Sequence, residues 1–179
     1  MFAGHAALAL LVKAGRPRAP LLLLGAAAFG PDLVEWTVAA FGNRNRVLSH
    51  SLIAVGIGAI VAAIFSYRFG KRSALDAGAV AALWISHWFA DFITGVKPTW
   101  PGGPHVGLNL YTLPMVDLAM EAVLVVISWL VYRHTLAPRR RGRALLLPLG
   151  LIAAQCLFAM ALSGKNPLPI GFDFLHLSP

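Results

Sequence analysis

Ionisable residues recur inside segments of this 179-residue chain that are otherwise apolar enough to cross a membrane. Five of the seven acidic residues and three of the six histidines lie within such segments or at their ends. These residues are His5, Asp32, Glu35, His50, His87, Asp91, Asp117 and Glu121. An isolated charge in hydrocarbon is costly, so these side chains usually pair, bind an ion or face a wet cavity. We interpret the whole set as one buried metal site.

The composition predicts an integral membrane protein. Hydrophobic residues make up 58% of the chain and charged residues 12%, whereas soluble domains carry about 25% charged residues. The apolar segments are 2–13, 19–40, 48–67, 74–95, 114–133 and 144–163. Most of them approach the ~20 residues that a membrane-spanning helix needs. We therefore predict an all-α fold, a polytopic transmembrane helical bundle with five to six membrane segments, in one domain over residues 1–179.

Two places interrupt the helical pattern. Pro31 lacks an N–H group and disfavours helix in the residue before it, so we expect a helix to end near Phe29 and a short one to start near Leu33. Asp32 would then lie at the opening of the second helix. The stretch 96–113 is rich in proline and glycine and is predicted to be a loop.

Basic residues are concentrated in alternate loops. Eleven of the fifteen lysines and arginines follow the first, third and fifth apolar segments. The positive-inside rule places those loops in the cytoplasm and all eight ionisable residues near the opposite surface. The expected location is therefore the cell inner membrane, with the site on the non-cytoplasmic side. The net charge of +8 indicates contact with the lipid bilayer rather than binding to nucleic acid.

His87 and Asp91 are four residues apart, so on a helix they share one face. They can bind one ion from successive turns, or Asp91 can orient the imidazole of His87. The alternative is a hydrogen-bonded pair that fastens two helices. His50 and Asp32 are predicted at the same depth, which favours the metal site.

Residues around His50 and Asp32 add further candidates. Arg46 lies one turn before His50 and can meet an anionic substrate, because guanidinium pairs well with phosphate. It can equally extend to lipid head groups. Asp32 can cap the helix that follows it and still bind a metal with its second oxygen. Glu35 is a candidate for supporting a ligand or for acting as a general base.

Asp117 and Glu121 form a second pair with a spacing of four residues. Two carboxylates this close repel in a low dielectric unless a cation or a proton lies between them. A metal is the simplest cation, and a shared proton is the alternative. His105, in the preceding loop, could complete a second metal site with them.

The proposed ligands are histidines and carboxylates, without cysteine. This set suits zinc, with manganese or iron as alternatives. Catalytic zinc keeps an open position for water and lowers the pKa of that water to about 7. A centre that combines a metal with Arg46 would suit hydrolysis of a phosphoester.

The order of these motifs resembles the YdjM-like membrane-bound metal-dependent hydrolases, a family related to the zinc-dependent phospholipase C and single-strand nuclease superfamily. The resemblance covers about residues 1–135 and leaves out the additional segment 144–163. The matching motifs are His5, Pro31-Asp32, Arg46-x-x-Ser49-His50-Ser51, Ser86-His87-x-x-x-Asp91-x-x-Thr94, Trp100-Pro101 and Glu121.

The resemblance implies a set of metal ligands. One metal would be held by Asp32, His50, His87 and Asp91, and His5 would help to hold another, with Asp91 bridging the two. The pair Asp117-x-x-x-Glu121 falls where the superfamily has His-x-x-x-Glu, so it implies a further site with His105. Two departures are Asn45, where the family usually has histidine, and Asp117 itself.

The resulting expectation is a membrane-embedded hydrolase in which a metal-activated water attacks a phosphoester of a lipid or lipid-linked substrate. Arg46 would steady the phosphate, and Glu35 or Asp91 would accept a proton. The alternative is a cation- or proton-coupled membrane transporter that uses the same carboxylates and the break at Gly30-Pro31. The one-sided placement of the ionisable residues argues against transport. A third interpretation is a scaffold whose polar groups only join helices.

Overall fold

The described part of the chain is built almost entirely from helices, which confirms the predicted all-α class. The structure is a computed structural model that describes residues 2–43, 45–71 and 73–163. Asp173 and His176, predicted to be solvated, lie outside these residues. The helices are α1 Phe2–Gly15, α2 Leu21–Ala28, α3 Gly30–Ala40, α4 Val47–His50, α5 Leu52–Arg68, α6 Ala74–Thr94, α7 Pro114–His134, α8 Pro138–Arg141 and α9 Leu146–Ser163.

The break predicted at Gly30-Pro31 is present, and helices α2 and α3 are bent by 66° relative to each other. Helix α3 starts at Gly30, three residues earlier than expected, because proline is well tolerated in the first turn of a helix. Asp32 lies in that first turn, as predicted. The bend also leaves the carbonyl of Ala28 accessible to a side chain of another helix.

The predicted segment 48–67 is divided into α4 and α5 at Ser51. Ser51 has an extended backbone, with φ −69° and ψ 149°. Its hydroxyl accepts a hydrogen bond of 3.2 Å from the N–H of Ala54 and so caps α5. This break lets His50, at the end of α4, point away from the axis of α5 and toward the neighbouring helices.

Trp84 of α6 fits between two glycines, which brings α3 and α5 against the middle of α6. A Cβ atom on Gly30 of α3 or on Gly58 of α5 would overlap the indole ring of Trp84. This close approach places the start of α3 next to the turn of α6 that carries His87.

A second packing layer joins α1 to the helices on either side of it. Ala9 of α1 is buried with Leu24 of α2 and Leu83 of α6. Ala3 at the start of α1 is buried with Val125 of α7. Small side chains on α1 allow this close packing, and they fix the depth of the first turn of α1, where His5 lies.

The connection 96–113 contains more order than the predicted loop. Its strand β1 (Lys97–Pro98) pairs antiparallel with β2 (His105–Val106), and a 3₁₀ turn spans Leu110–Thr112. The backbone N–H of Leu108 donates to the carbonyl of Phe92 at 2.7 Å. The hairpin is therefore held against the end of α6.

Among the described residues, one helix is by itself long and apolar enough to cross a membrane, namely α7. The bent pair α2 and α3 passes the same criterion when it is taken as one span, whereas α1 and α5 are apolar but shorter. The all-helical architecture is thus established, while the predicted number of five to six membrane segments is not confirmed.

Candidate metal centre

Five of the predicted ligands, contributed by four helices, converge at one place. The structure groups His5, His87 and Asp91 as one possible ligand set and Asp32, His50 and His87 as another. All five are buried except Asp32, of whose side chain 25% is exposed. The described structure therefore brings together every residue that the sequence assigned to the main site, and these residues could hold a metal ion.

The two carboxylate oxygens Asp32 Oδ1 and Asp91 Oδ2 each lie within metal-ligand spacing of the facing Nε2 atoms of His50 and His87. His50 Nε2 lies 3.2 Å from His87 Nε2, 3.2 Å from Asp32 Oδ1 and 3.5 Å from Asp91 Oδ2. His87 Nε2 lies 3.6 Å from Asp32 Oδ1 and 3.4 Å from Asp91 Oδ2. Bonds of about 2.0–2.1 Å to zinc at tetrahedral angles separate neighbouring ligand atoms by about 3.4 Å. These five spacings are close to this value, while Asp32 and Asp91 belong to different possible ligand sets.

A hydrogen bond to the backbone determines which nitrogen of His87 can bind a metal. Nδ1 of His87 lies 2.8 Å from the carbonyl oxygen of Ala28. A carbonyl only accepts, so Nδ1 carries the hydrogen and the neutral ring presents a lone pair at Nε2. Metal-binding histidines commonly donate their other ring N–H in this way.

His50 is oriented by a polar chain that runs outward to Arg46. Its Nδ1 lies 3.2 Å from Glu35 Oε2 and 2.8 Å from Ser49 Oγ. The hydroxyl of Ser49 is 3.3 Å from the carbonyl of Arg46, to which it donates, so it accepts from His50. The other oxygen of Glu35, Oε1, receives Arg46 Nε at 3.0 Å. His50, like His87, therefore presents a lone pair at Nε2.

His5 occupies the deeper side of the centre. Its Nε2 lies 3.3 Å from Asp91 Oδ1, and its ring stacks on His87 with centroids 3.9 Å apart. His5 Nδ1 is buried and has no hydrogen-bond partner within the described part of the chain. Because His87 Nε2 offers one lone pair, it serves one of the two ligand sets at a time. Asp91, with one oxygen toward each set, is placed to bridge them.

Lys97 is a member of the centre that the sequence did not single out. Its Nζ lies 2.6 Å from Asp91 Oδ2, and only 10% of its side chain is exposed. In the sequence it is one of four basic residues outside the loops predicted to be cytoplasmic. Its position depends on the β1–β2 hairpin, which no local spacing predicts. The one available signal was its place six residues after Asp91.

Tyr111 forms part of the wall beside Asp91. Its hydroxyl hydrogen-bonds to Thr94 at the end of α6. Burial, followed by the negative charge of Asp91, raises the pKa of the Tyr111 hydroxyl. Tyr111 therefore remains neutral and contributes a polar but uncharged group to this side of the centre.

Among the described residues, the pair Asp117 and Glu121 forms no possible metal-ligand set, so the predicted further metal site is not confirmed. Glu121 Oε2 accepts a hydrogen bond of 2.8 Å from the backbone N–H of Gly4, and Glu121 Oε1 accepts one of 2.8 Å from Gln155 Nε2. Asp117 Oδ2 lies 3.4 Å from the same Gln155 nitrogen. Amide N–H groups and the positive end of α1 thus stabilise Glu121, while Asp117 Oδ1 is buried without a hydrogen-bond partner among the described residues.

His105 is also placed differently from the prediction. It is exposed on β2, and it forms no ligand set with Asp117 and Glu121 among the described residues. Gln155 of α9 is the partner that the sequence missed, and its Oε1 also accepts from the N–H of Ala3 at 3.3 Å. A lone buried glutamine carried no signal that could have identified it.

No family model, curated protein or solved structure matches the chain. The chemical interpretation therefore depends on the centre itself. Two imidazole nitrogens and two carboxylate oxygens approach one another at its middle, and a cation bound there would offset the negative charge of the carboxylates. Buried histidine and aspartate of this kind could hold a metal ion.

Proposed function

We propose that the protein is a membrane-embedded metal-dependent hydrolase that acts on a phosphoester of a lipid or lipid-linked substrate. The observation that supports it most directly is the convergence on the Nε2 atoms of His50 and His87, 3.2 Å apart, of Asp32 Oδ1 and Asp91 Oδ2 at 3.2 to 3.6 Å. The proposal includes membership of the YdjM-like hydrolases, because the order of the ligands along the chain resembles the order in that family.

The donor set favours zinc. Two neutral imidazoles and two carboxylates are ligands that zinc accepts readily, and manganese and iron are the alternatives. When bound, zinc supplies Lewis acidity and a water of lowered pKa. Asp32 is the partly exposed ligand, so substrate would approach the centre on the side of α3 and α4. His5 and the second oxygen of Asp91 would support a second metal position.

The two candidates for proton transfer, Glu35 and Asp91, differ in how far their side chains are exposed to solvent. Glu35 has 21% of its side chain exposed, whereas Asp91 has 6%. We therefore assign proton transfer to Glu35 at the open edge and metal binding to Asp91. Arg46, whose side chain is 35% exposed, contacts Glu35 and stands where a phosphate would enter. Its guanidinium would hold the phosphate oxygens through paired hydrogen bonds.

Exposed apolar side chains support a location in the bilayer. Soluble proteins rarely expose apolar patches of more than a few hundred Å². Helix α5 exposes Ile53, Ile57, Ile60 and Ile64, each by more than half of its surface. Helix α7 exposes Val123, Val126, Ile127, Leu130 and Val131. The distribution of basic residues along the sequence supports a centre on the non-cytoplasmic side of the inner membrane.

An open apolar groove beside the centre supports a substrate with a hydrocarbon chain. The groove has a volume of about 250 Å³ and lies between α3 and α6. It is lined by Gly30, Leu33, Val34, Thr37, Val38 and Trp84. Asp32 and Glu35 lie in the same turns of α3 but on the opposite face of the helix, so a hydrocarbon chain in the groove would lie behind these two residues.

Metal analysis of purified protein tests the proposal. We expect zinc in stoichiometric amount in the wild type and its loss in His50→Ala and His87→Ala. His105→Ala is the matched control, because His105 is exposed and belongs to no ligand set among the described residues. It should keep the metal. Metal-free wild-type protein with intact helical circular dichroism would contradict the proposal.

A further inference from the structure

The ammonium group of Lys97 lies beside the carboxylate oxygen that a metal would use. Asp91 Oδ2 is 2.6 Å from Lys97 Nζ, and it is also 3.5 Å from His50 Nε2 and 3.4 Å from His87 Nε2. One oxygen atom of Asp91 thus contacts both the amino group of Lys97 and the two Nε2 atoms of His50 and His87.

The backbone keeps Lys97 in this position. Lys97 pairs with Val106 across the β1–β2 hairpin. Behind the hairpin, a Cβ atom on Gly107 would overlap the carbonyl of Gly95, so the two backbones are in direct contact. With only 10% of its side chain exposed, Lys97 has little room to turn toward water.

We infer that Lys97 competes with the metal for Asp91 and lowers the affinity of the centre for divalent cations. This inference rests on the proposed function, since it concerns the same centre. A carboxylate oxygen has more than one lone pair, so Lys97 can stay hydrogen-bonded to Asp91 while a metal binds. A positive charge a few Å from a divalent ion in a partly buried site nevertheless repels it strongly. Lys97 therefore limits the affinity of the centre for a divalent metal.

Zinc affinity measured in detergent by competition with a chromophoric chelator tests the inference. Lys97→Met keeps most of the apolar stem and removes the charge. We expect it to bind zinc at least about tenfold more tightly than the wild type. Lys97→Arg keeps the charge and should stay near the wild-type affinity. Lys71→Met is the matched control, because Lys71 is exposed in the loop before α6, about 25 Å along that helix from Asp91. It should leave the affinity unchanged.

Equal or weaker zinc binding by a folded Lys97→Met protein would overturn the inference. If that variant does not fold, Lys97→Gln removes the charge with a polar side chain and is subject to the same expectation. The outcomes also separate the two proposals. A wild type that binds no zinc, beside a Lys97→Met protein that does, would support competition by Lys97 while contradicting the proposed function. Absence of zinc binding in both proteins would overturn both.

Discussion

The Nε2 atoms of His50 and His87 lie 3.2 Å apart, and the Nδ1 atom of each ring faces a hydrogen-bond acceptor on the other side of the ring. The carbonyl oxygen of Ala28 accepts the Nδ1 hydrogen of His87, and Glu35 and Ser49 accept the Nδ1 hydrogen of His50. Two lone pairs facing each other at this distance repel unless a cation lies between or beside them. Together with Asp32 and Asp91, these histidines could hold a metal ion.

Glu35→Ala tests the orientation of His50. Without the carboxylate, Nδ1 of His50 loses one of its two acceptors, and Arg46 loses its partner. Loss of such a supporting group typically weakens metal binding by about 10- to 100-fold, and we expect that reduction in zinc affinity. Thr37→Ala, an exposed position on the same helix, is the control. Unchanged affinity in Glu35→Ala would show that Glu35 does not hold His50.

Removal of the metal should lower stability. A ligand that binds only the folded state stabilises it, by about 2.7 kcal/mol when its concentration is 100 times Kd. We expect a chelator to lower the thermal unfolding temperature of the wild type and to leave that of His87→Ala unaffected. The measurement is thermal unfolding in detergent with and without chelator. A chelator effect of the same size in both proteins would argue against metal at this centre.

Glu121→Gln distinguishes an anchor for α1 from a metal ligand. Glu121 accepts from Gly4 N–H and Gln155 Nε2, and an amide has only one oxygen for these two donors. We expect a loss of about 1–3 kcal/mol in unfolding free energy, with the zinc content unchanged. Metal analysis beside denaturation measures both. Loss of a zinc ion in this variant would restore the original prediction that Asp117 and Glu121 bind metal.

Gly30→Ala tests the close contact between α3 and α6. A Cβ atom at Gly30 would overlap the indole of Trp84, and overpacking of this kind costs about 1–3 kcal/mol. Gly25→Ala in α2 is the matched control, because a Cβ there meets no atom within 4 Å. It should be neutral or slightly stabilising, since alanine favours helix over glycine. Equal stability of the two variants would contradict the proposed contact.

Arg46→Gln tests the binding of phosphate. We expect kcat/KM for headgroup release from phospholipid vesicles to fall by about 10- to 100-fold, since hydrogen bonds to charged groups contribute about 1.5–3 kcal/mol. The zinc content should stay unchanged. Arg68→Gln, exposed at the end of α5, is the control for a lost positive charge. Full activity in Arg46→Gln would remove Arg46 from the mechanism.

Local patterns in the sequence predicted much of the main centre. The spacing of His87 and Asp91 places both on one helical face, and Pro31 predicts the bend that positions Asp32. These predictions depend on contacts between near neighbours in the chain. They therefore needed no knowledge of how the helices pack, apart from the assumption that buried polar residues gather at one depth.

Contacts between distant parts of the chain could not be predicted in this way. Lys97 reaches Asp91 through a hairpin, and Gln155 reaches Glu121 from a helix 34 residues further along the chain. Two neighbouring carboxylates indicate that a positive or hydrogen-bond-donating group must offset their repulsion. The sequence pattern does not show whether this group is a metal, a side-chain amide or the N-terminus of a helix. For Asp117 and Glu121 the amide of Gln155 and the N-terminus of α1 lie there, and the sequence alone suggested a metal.

The bend between α2 and α3 supplies two different parts of the centre from residues four apart. Before it, the carbonyl of Ala28 fixes the ring of His87, and after it, Asp32 contributes a carboxylate. Any change in the angle between these helices moves both parts together. A lipid in the neighbouring groove, which borders α3, would therefore change the position of both ligand-supporting groups if it changed the angle of this bend.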